Sequence, residues 1–164
     1  MSTPLGDVAT VRVVRAGEFF GELAVVSPGP RNATAVALDP VETLVLDRGQ
    51  LTSLRADDQH ATEILLAALV AEVRRLADQL VEVMFVPVDK RLWRRVLDLT
   101  FVFGSAREPA TNLPITQDVV AQITGCARPT ANRVLRAGER ASLIRMRRRT
   151  IEIIDIEGIR KRAH

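Results

Sequence analysis

The hydrophobic pattern changes period along this chain. Up to residue 47 the apolar positions come in short runs with β character. In Val8–Arg15, Thr10 and Arg12 alternate with Val11 and Val13; Ala33–Leu38 and Glu42–Asp47 are two further runs, separated by an Asp39-Pro40 turn. Pro28-Gly29-Pro30 forces a loop before Arg31. From Asp57 to Phe85 the pattern turns helical, and the spacing predicts one long helix stopped by Pro87. Within it Leu66, Leu69, Val73, Leu76, Leu80 and Val83 recur at alternating steps of three and four, with Arg74, Arg75, Asp78 and Glu82 off the stripe. This is an a/d seam, and it predicts a paired helix and hence a homodimer rather than a stripe packed on its own domain. A further helix is expected over Lys90–Val102, with Asp89 as its N-cap and Leu92, Trp93, Val96, Leu97 and Leu99 as its apolar positions. Gly104–Asn112 reads as a polar loop.

The segment ITQDVVAQITGCARPTANRVLRAGERASLI carries a different signal. Thr116 can cap a short helix over 117–124, with Asp118 in its first turn. Gly125 supplies a turn that accepts a positive φ, and Pro129 sits in the first turn of the next helix, where its missing N–H costs nothing. Ala131, Val134 and Leu135 face inward; Arg128, Thr130, Asn132, Arg133 and Arg136 are left outside. Two short helices about a glycine turn, the second basic, describe a helix-turn-helix whose second helix enters the major groove. LIRMRRRTIEII then reads as two strands about the turn Arg147-Arg148-Arg149, a wing placed to lie along phosphates, and Asp155 caps a last short helix.

Charge sharpens this picture. From Arg128 to His164 eleven Arg and Lys stand against four acidic residues, a net of +7 that leaves −4 for residues 1–127 of a chain whose total is +3. Such asymmetry points to nucleic acid at the C-terminal end. The longest uncharged apolar run, Ile64–Ala71, is too short to span a bilayer, so no membrane is expected. Cys126 is the only cysteine, which excludes an intrachain disulfide and a cysteine-rich metal or iron–sulfur site. It reads as a small buried residue, and His60 as a solvated residue at a helix start. No Ser/His/Asp set, paired catalytic carboxylates or metal cluster is visible, so an enzyme is not expected.

The stretch FGELAVVSPGPRNATAVA, taken with GCARPTANRVL and the wing, resembles the superfamily of the cyclic-AMP receptor protein and the fumarate-nitrate regulator. The likeness runs from about Val8 to Ala163. It implies an α+β chain: a partial cyclic-nucleotide-binding jelly-roll β-barrel over 1–56, a dimerisation helix over 57–87 and a winged helix-turn-helix DNA-binding domain over 88–164. FGELA, then PR and AT, is similar to the phosphate-binding cassette of cyclic-nucleotide-binding domains. The resemblance implies that Gly21, Glu22, Leu23, Ala24, Arg31, Asn32 and Ala33 form the ligand site. Arg31 would neutralise the cyclic phosphate at the N–H groups of a short helix, Glu22 would accept from the ribose 2′-hydroxyl, and cAMP is expected before cGMP. Asp78 and Gln79 lie near where the family reaches the base. Only one strand-like run precedes the cassette, so the chain is expected to begin inside the barrel.

For DNA the resemblance implies contacts from Gln117, Arg128, Pro129, Thr130, Asn132, Arg133, Arg136, Arg147, Arg148 and Arg149. Pro129 replaces a base-reading glutamate, and Ala127 replaces the usual hydroxyl cap at a cost of about 1 kcal/mol. Gly138 falls where a large apolar residue would anchor the recognition helix, predicting a weak helix end. Three functions follow: a dimeric cytoplasmic DNA-binding regulator tuned by a cyclic nucleotide, with RNA polymerase left open as a partner; a ligand-independent regulator; or a nucleotide-binding module that does not act on DNA.

Overall fold

The structure, a computed structural model, describes residues 10–27, 29–104 and 108–164. The chain divides into two compact units, one formed by the N-terminal segment through Arg15 together with Phe85–His164, the other by Ala16–Met84.

The second unit is mostly helical. A four-residue helix α1 (Leu23–Val26) follows Gly21. Helix α2 (Arg48–Asp57) begins at a capping box: Asp47 accepts from the Gln50 N–H and Gln50 accepts from the Asp47 N–H, both at 2.8 Å. Helix α3 (Gln59–Phe85) follows after a break at Asp58, whose backbone is extended and whose Oδ1 accepts from the His60 N–H at 2.8 Å. The single helix expected from Asp57 is therefore two, and the helical region starts at Arg48. Arg48–Asp57 has only Leu51 and Leu54 as large apolar positions, too short a period to mark a helix, and its start is written in the cap instead.

The expected strands are not formed among the described residues. Residues 10–15, Ala33–Leu38 and Glu42–Asp47 make no ladder, and Val36, Leu44 and Val45 are 77%, 103% and 84% exposed; Val8 and Ala9 lie outside the described residues. Alternating β-branched residues state a preference for extended backbone, but a strand exists only when a neighbour takes up its N–H and C=O groups. The first segment finds a different partner, the Thr10 N–H donating to the Gln122 carbonyl at 3.1 Å.

The other unit is built on helix α4 (Val88–Phe103), which buries Leu92, Trp93, Val96 and Leu99. It starts two residues before the expected point. Pro87 occupies the cap position, so Asp89 lies in the first turn and caps nothing. Strand β1 (Asn112–Leu113), at and just past the end of the segment read as loop, precedes helix α5 (Gln117–Thr124), helix α6 (Arg128–Arg140), strands β2 (Ile144–Met146) and β3 (Ile151–Ile153), and helix α7 (Ile156–Ala163). The sheet has the order β1-β3-β2 and is antiparallel, pairing Leu113 with Ile151 and Ile144 with Ile153. Leu113, Ile144 and Ile151 turn into one core with α4, α5, α6 and Ile159 of α7. Fully burying each of these side chains stabilises by about 1.5–3 kcal/mol. Asp155 caps α7 by accepting from the Gly158 N–H at 2.8 Å.

Gly138 corrects an expectation. The space where a large side chain was expected to anchor α6 is already filled, because Trp93 lies there: a Cβ on Gly138 would sit 2.2 Å from Trp93 Cη2. Trp93 is 3% exposed and α6 runs on to Arg140, so the helix end is anchored from α4.

Candidate nucleic-acid interface

Helices α5 and α6 are set by local chemistry. Thr116 accepts from the Val119 N–H at 3.3 Å and starts α5. Gly125 ends it at φ +66°, a left-handed backbone that glycine adopts without a steric penalty. α6 opens on Ala127 with no side-chain cap and with proline in its first turn. Ala131, Val134 and Leu135 are buried in the core shared with α4 and α5. Arg128, Pro129, Asn132, Arg133 and Arg136 are exposed, whereas Thr130, expected outside, is half-buried.

The basic side chains of this face are met by carboxylates and amides. Arg128 pairs with Asp118 of α5 at 3.2 Å, Arg133 with Asp89 of α4 at 2.9 Å, and Arg136 with Glu139 at 3.0 Å. Asn132 Nδ2 donates to Gln117 Oε1 at 2.9 Å. In the wing, Arg145 and Arg147 share Glu152, at 3.3 and 3.7 Å, and the Arg147 N–H closes the turn on the Thr150 carbonyl at 2.8 Å. Arg148 and Arg149 stand exposed at the tip without an ion pair among the described residues. Each pair on α6 is solvated, and exposed pairs of this kind contribute about 0–1 kcal/mol.

Glu139 does more than pair. Its Oε1 accepts from the Met146 N–H at 2.8 Å, tying α6 to the wing; that bond, and Arg136 after it, hold the Glu139 carboxyl below the usual range. In the turn itself Cys126, expected to be buried, is half-buried; burial pushes its thiol up, partly offset by the Arg91 charge and the Ala131 N–H. Arg91 is itself 8% exposed, and its Nε has no partner among the described residues. Sequence reasoning missed the pairing roles of Asp89, Asp118 and Glu139 and the place of Trp93 beside α6. Nothing in their spacing marks a pairing across 44 residues, such as that of Asp89 with Arg133.

In the other unit the segment expected to form a cassette folds back on itself. Arg31 Nη1 donates to the Gly21 carbonyl at 3.1 Å, and Gly21 has φ +87°. A Cβ at Gly21 would lie 2.9 Å from Arg31 Nη1, so a larger residue would push the guanidinium away. Glu22 occupies the cap position of α1 in helical backbone. Leu23 is exposed and Ala24 half-buried, and Asn32 and Ala33 are exposed beside Arg31 in the chain. Along α3, Leu66, Val73, Leu76, Leu80 and Val83 are 43–66% exposed and Leu69 is half-buried; the helix buries no residue. Asp78 and Gln79 are exposed or half-buried on the same helix. His60 is exposed and bonded to Glu63 at 3.1 Å. No described helix is long and apolar enough to cross a membrane.

Two helices about a left-handed glycine, with a basic outer face and a β wing, define a winged helix-turn-helix protein. Residues 90–162 match the family model of the Crp-like helix-turn-helix domain, and residues 1–58 match that of the cyclic nucleotide-binding domain. The chain is 30% identical to the CRP-like cAMP-activated global transcriptional regulator of Mycobacterium tuberculosis over 162 residues, covering 98% of this chain and 72% of that protein. It is 30% identical to the cyclic AMP receptor protein of Thermus thermophilus, over 90% of this chain and 66% of that one. A crystal structure of a CRP-family transcriptional regulator from Thermus thermophilus superposes with a TM-score of 0.78 at 22% identity, covering 99% of this chain and 80% of that chain. The chain belongs to the CRP/FNR family: it is a DNA-binding transcription regulator, not an enzyme.

Proposed function

We infer that this regulator binds DNA as a homodimer through α6 and the wing, and that a cyclic nucleotide, cAMP before cGMP, sets its grip. The observation that carries the reading is the exposed face of α6. Arg128, Asn132, Arg133 and Arg136 all project from one basic helix with the Arg147–Arg149 turn in the same unit. Arg128 and Arg133 present the forked donors that suit guanine O6 and N7 or a phosphate, and Arg147, Arg148 and Arg149 present charge to the backbone. Pro129 accepts nothing from a base, so its position discriminates by shape and apolar contact. Acting on DNA, the protein works in the cytoplasm.

The cassette residues fit an anionic ligand. Arg31 is a solvent-facing cation already folded back over the Gly21 cradle, and Glu22 is the carboxylate that follows in the chain. Arg31 would hold the cyclic phosphate, with Asn32, Ala33 and the backbone of Gly21, Leu23 and Ala24 around it, and Glu22 would hold a ribose hydroxyl. The ligand supplies the signal. The chain's own residues turn it into a population shift, in which binding favours one pairing of two α3 helices over another. The seam Leu66, Leu69, Val73, Leu76, Leu80 and Val83 provides that pairing, and two-fold pairing matches two half-sites one DNA turn apart. The domain assignment proposed with this reading is a sensor over 1–56, a dimerisation helix over 57–87 and a DNA-binding domain over 88–164, with residues 10–15 packed in the unit of the last. A ligand-independent regulator is the second reading, favoured by the absence of a ladder among the described residues between 10 and 47.

Calorimetric titration of cAMP, then cGMP, into the chain and into Arg31→Ala separates the two. Saturable heat that vanishes in Arg31→Ala supports the ligand-tuned reading. A flat trace from a folded, dimeric sample that still binds duplex DNA leaves the ligand-independent one. Sedimentation of wild type against Leu76→Asp tests the seam, the substitution being expected to shift the mass to that of one chain.

A further inference from the structure

The six exposed side chains of α6 are Arg128, Pro129, Asn132, Arg133, Arg136 and Arg140. Five of them offer only donors or no polar group. Asn132 alone offers a donor and an acceptor on one planar group, and it lies one helical turn from both Arg128 and Arg136, near the middle of the face. The base edges of the major groove sort by the same criterion. Guanine shows two acceptors, cytosine one donor, thymine one acceptor and a methyl group; adenine shows N7 as acceptor beside the N6 amino donor.

The Asn132 amide is also held. Nδ2 donates one hydrogen to Gln117 Oε1 at 2.9 Å, which holds the side chain against the first turn of α5. The second Nδ2 hydrogen and Oδ1 enter no other bond among the described residues, so both remain for a base. Gln117, the first residue of α5, is left with its own Nε2 donor. A side chain whose rotamer is held before contact loses less entropy on binding.

We propose that Asn132 reads an adenine in each half-site, and that Gln117 is the positioning residue that fixes its amide. The Nδ2 donor meets adenine N7 and Oδ1 accepts from the N6 amino group. The proposal rests on the reading of α6 as the DNA-facing helix. It assigns to this chain a base preference that is separate from those of its arginines.

The test is selection of binding sites from a random duplex library by the full chain, run with and without cAMP, for wild type, Asn132→Ala, Gln117→Ala and Gln117→Glu. The expected wild-type motif carries one adenine per half-site, preferred by about 5- to 150-fold over other bases. In Asn132→Ala that preference collapses while the guanine positions persist. Gln117→Ala weakens it, and Gln117→Glu, which keeps the acceptor, restores it although overall affinity falls. A second arm needs no variant: 7-deazaadenine at that position, which removes N7 alone, is expected to weaken wild-type binding by about 3- to 10-fold. An adenine that survives Asn132→Ala, or a 7-deaza site bound as well as the parent, overturns the proposal. A wild-type chain that enriches no motif under either condition overturns the reading on which it rests.

Discussion

Replacing Gly138 by alanine sets two effects of opposite sign against each other. Glycine inside a helix costs about 1 kcal/mol relative to alanine, so propensity alone predicts that Gly138→Ala stabilises α6. The packing predicts the reverse. The new methyl carbon would lie 2.2 Å from Trp93 Cη2 and 2.5 Å from Cζ2, against an ordinary carbon–carbon contact of about 3.5–4.0 Å. About 1 Å or more must be recovered, and Trp93 is 3% exposed in a core that includes Val134 and Leu135, so the ring has little free space to enter. Overpacking of this kind costs about 1–3 kcal/mol, and the size of this overlap places it at the upper end. The net expectation is a loss of about 1–2 kcal/mol, or roughly 4–15 °C in the melting temperature of a unit this size. Trp93 is the only tryptophan in the chain, so its fluorescence during urea unfolding reports on this contact directly. Trp93→Leu makes room, so Gly138→Ala should cost less in that background. A Gly138→Ala chain as stable as wild type, or more so, would refute the argument that the indole rather than a missing anchor sets this position.

Asp89→Asn removes the carboxylate that holds Arg133 at 2.9 Å. Because the pair is exposed, stability should change by less than about 0.5 kcal/mol while DNA affinity rises up to about 5-fold, measured by anisotropy at fixed salt. Glu139 titrates below the usual carboxylate range because the Met146 N–H and Arg136 favour its charged form. Its contribution to stability is therefore complete above the unfolded-state pKa and is lost as pH falls through the lower folded value. Urea midpoints taken from pH 6 to pH 3 should fall less steeply for Glu139→Gln than for wild type. Replacing Arg148 and Arg149 by alanine should lower affinity nearly equally for all duplexes and reduce the slope of log K against log salt by about 1 for each phosphate no longer neutralised.

The sequence by itself determined those features whose cause is local. Thr116, Gly125 and Pro129 set α5, its turn and α6, because a cap, a positive φ and a missing N–H act within a few residues. Arg147–Arg149 between two apolar runs set the wing, and Asp155 the last helix. The cassette over FGELA to Arg31 rests on a resemblance rather than on a local rule, and there the structure adds the bond from Arg31 Nη1 to the Gly21 carbonyl. Tertiary structure alone decided what depends on distant partners. The runs 33–38 and 42–47 have the composition of strands but no ladder, because backbone pairing is a property of two segments and only one is written locally. β1 exists because Asn112 and Leu113 meet Glu152 and Ile151, far along the chain. Asp89 reads locally as a cap; it instead pairs with Arg133, because Pro87 starts α4 earlier and α6 packs within reach. Gly138 reads locally as a defect in a helix, yet in the folded unit it is the room that Trp93 occupies, since two atoms cannot share a volume and the larger side chain comes from α4.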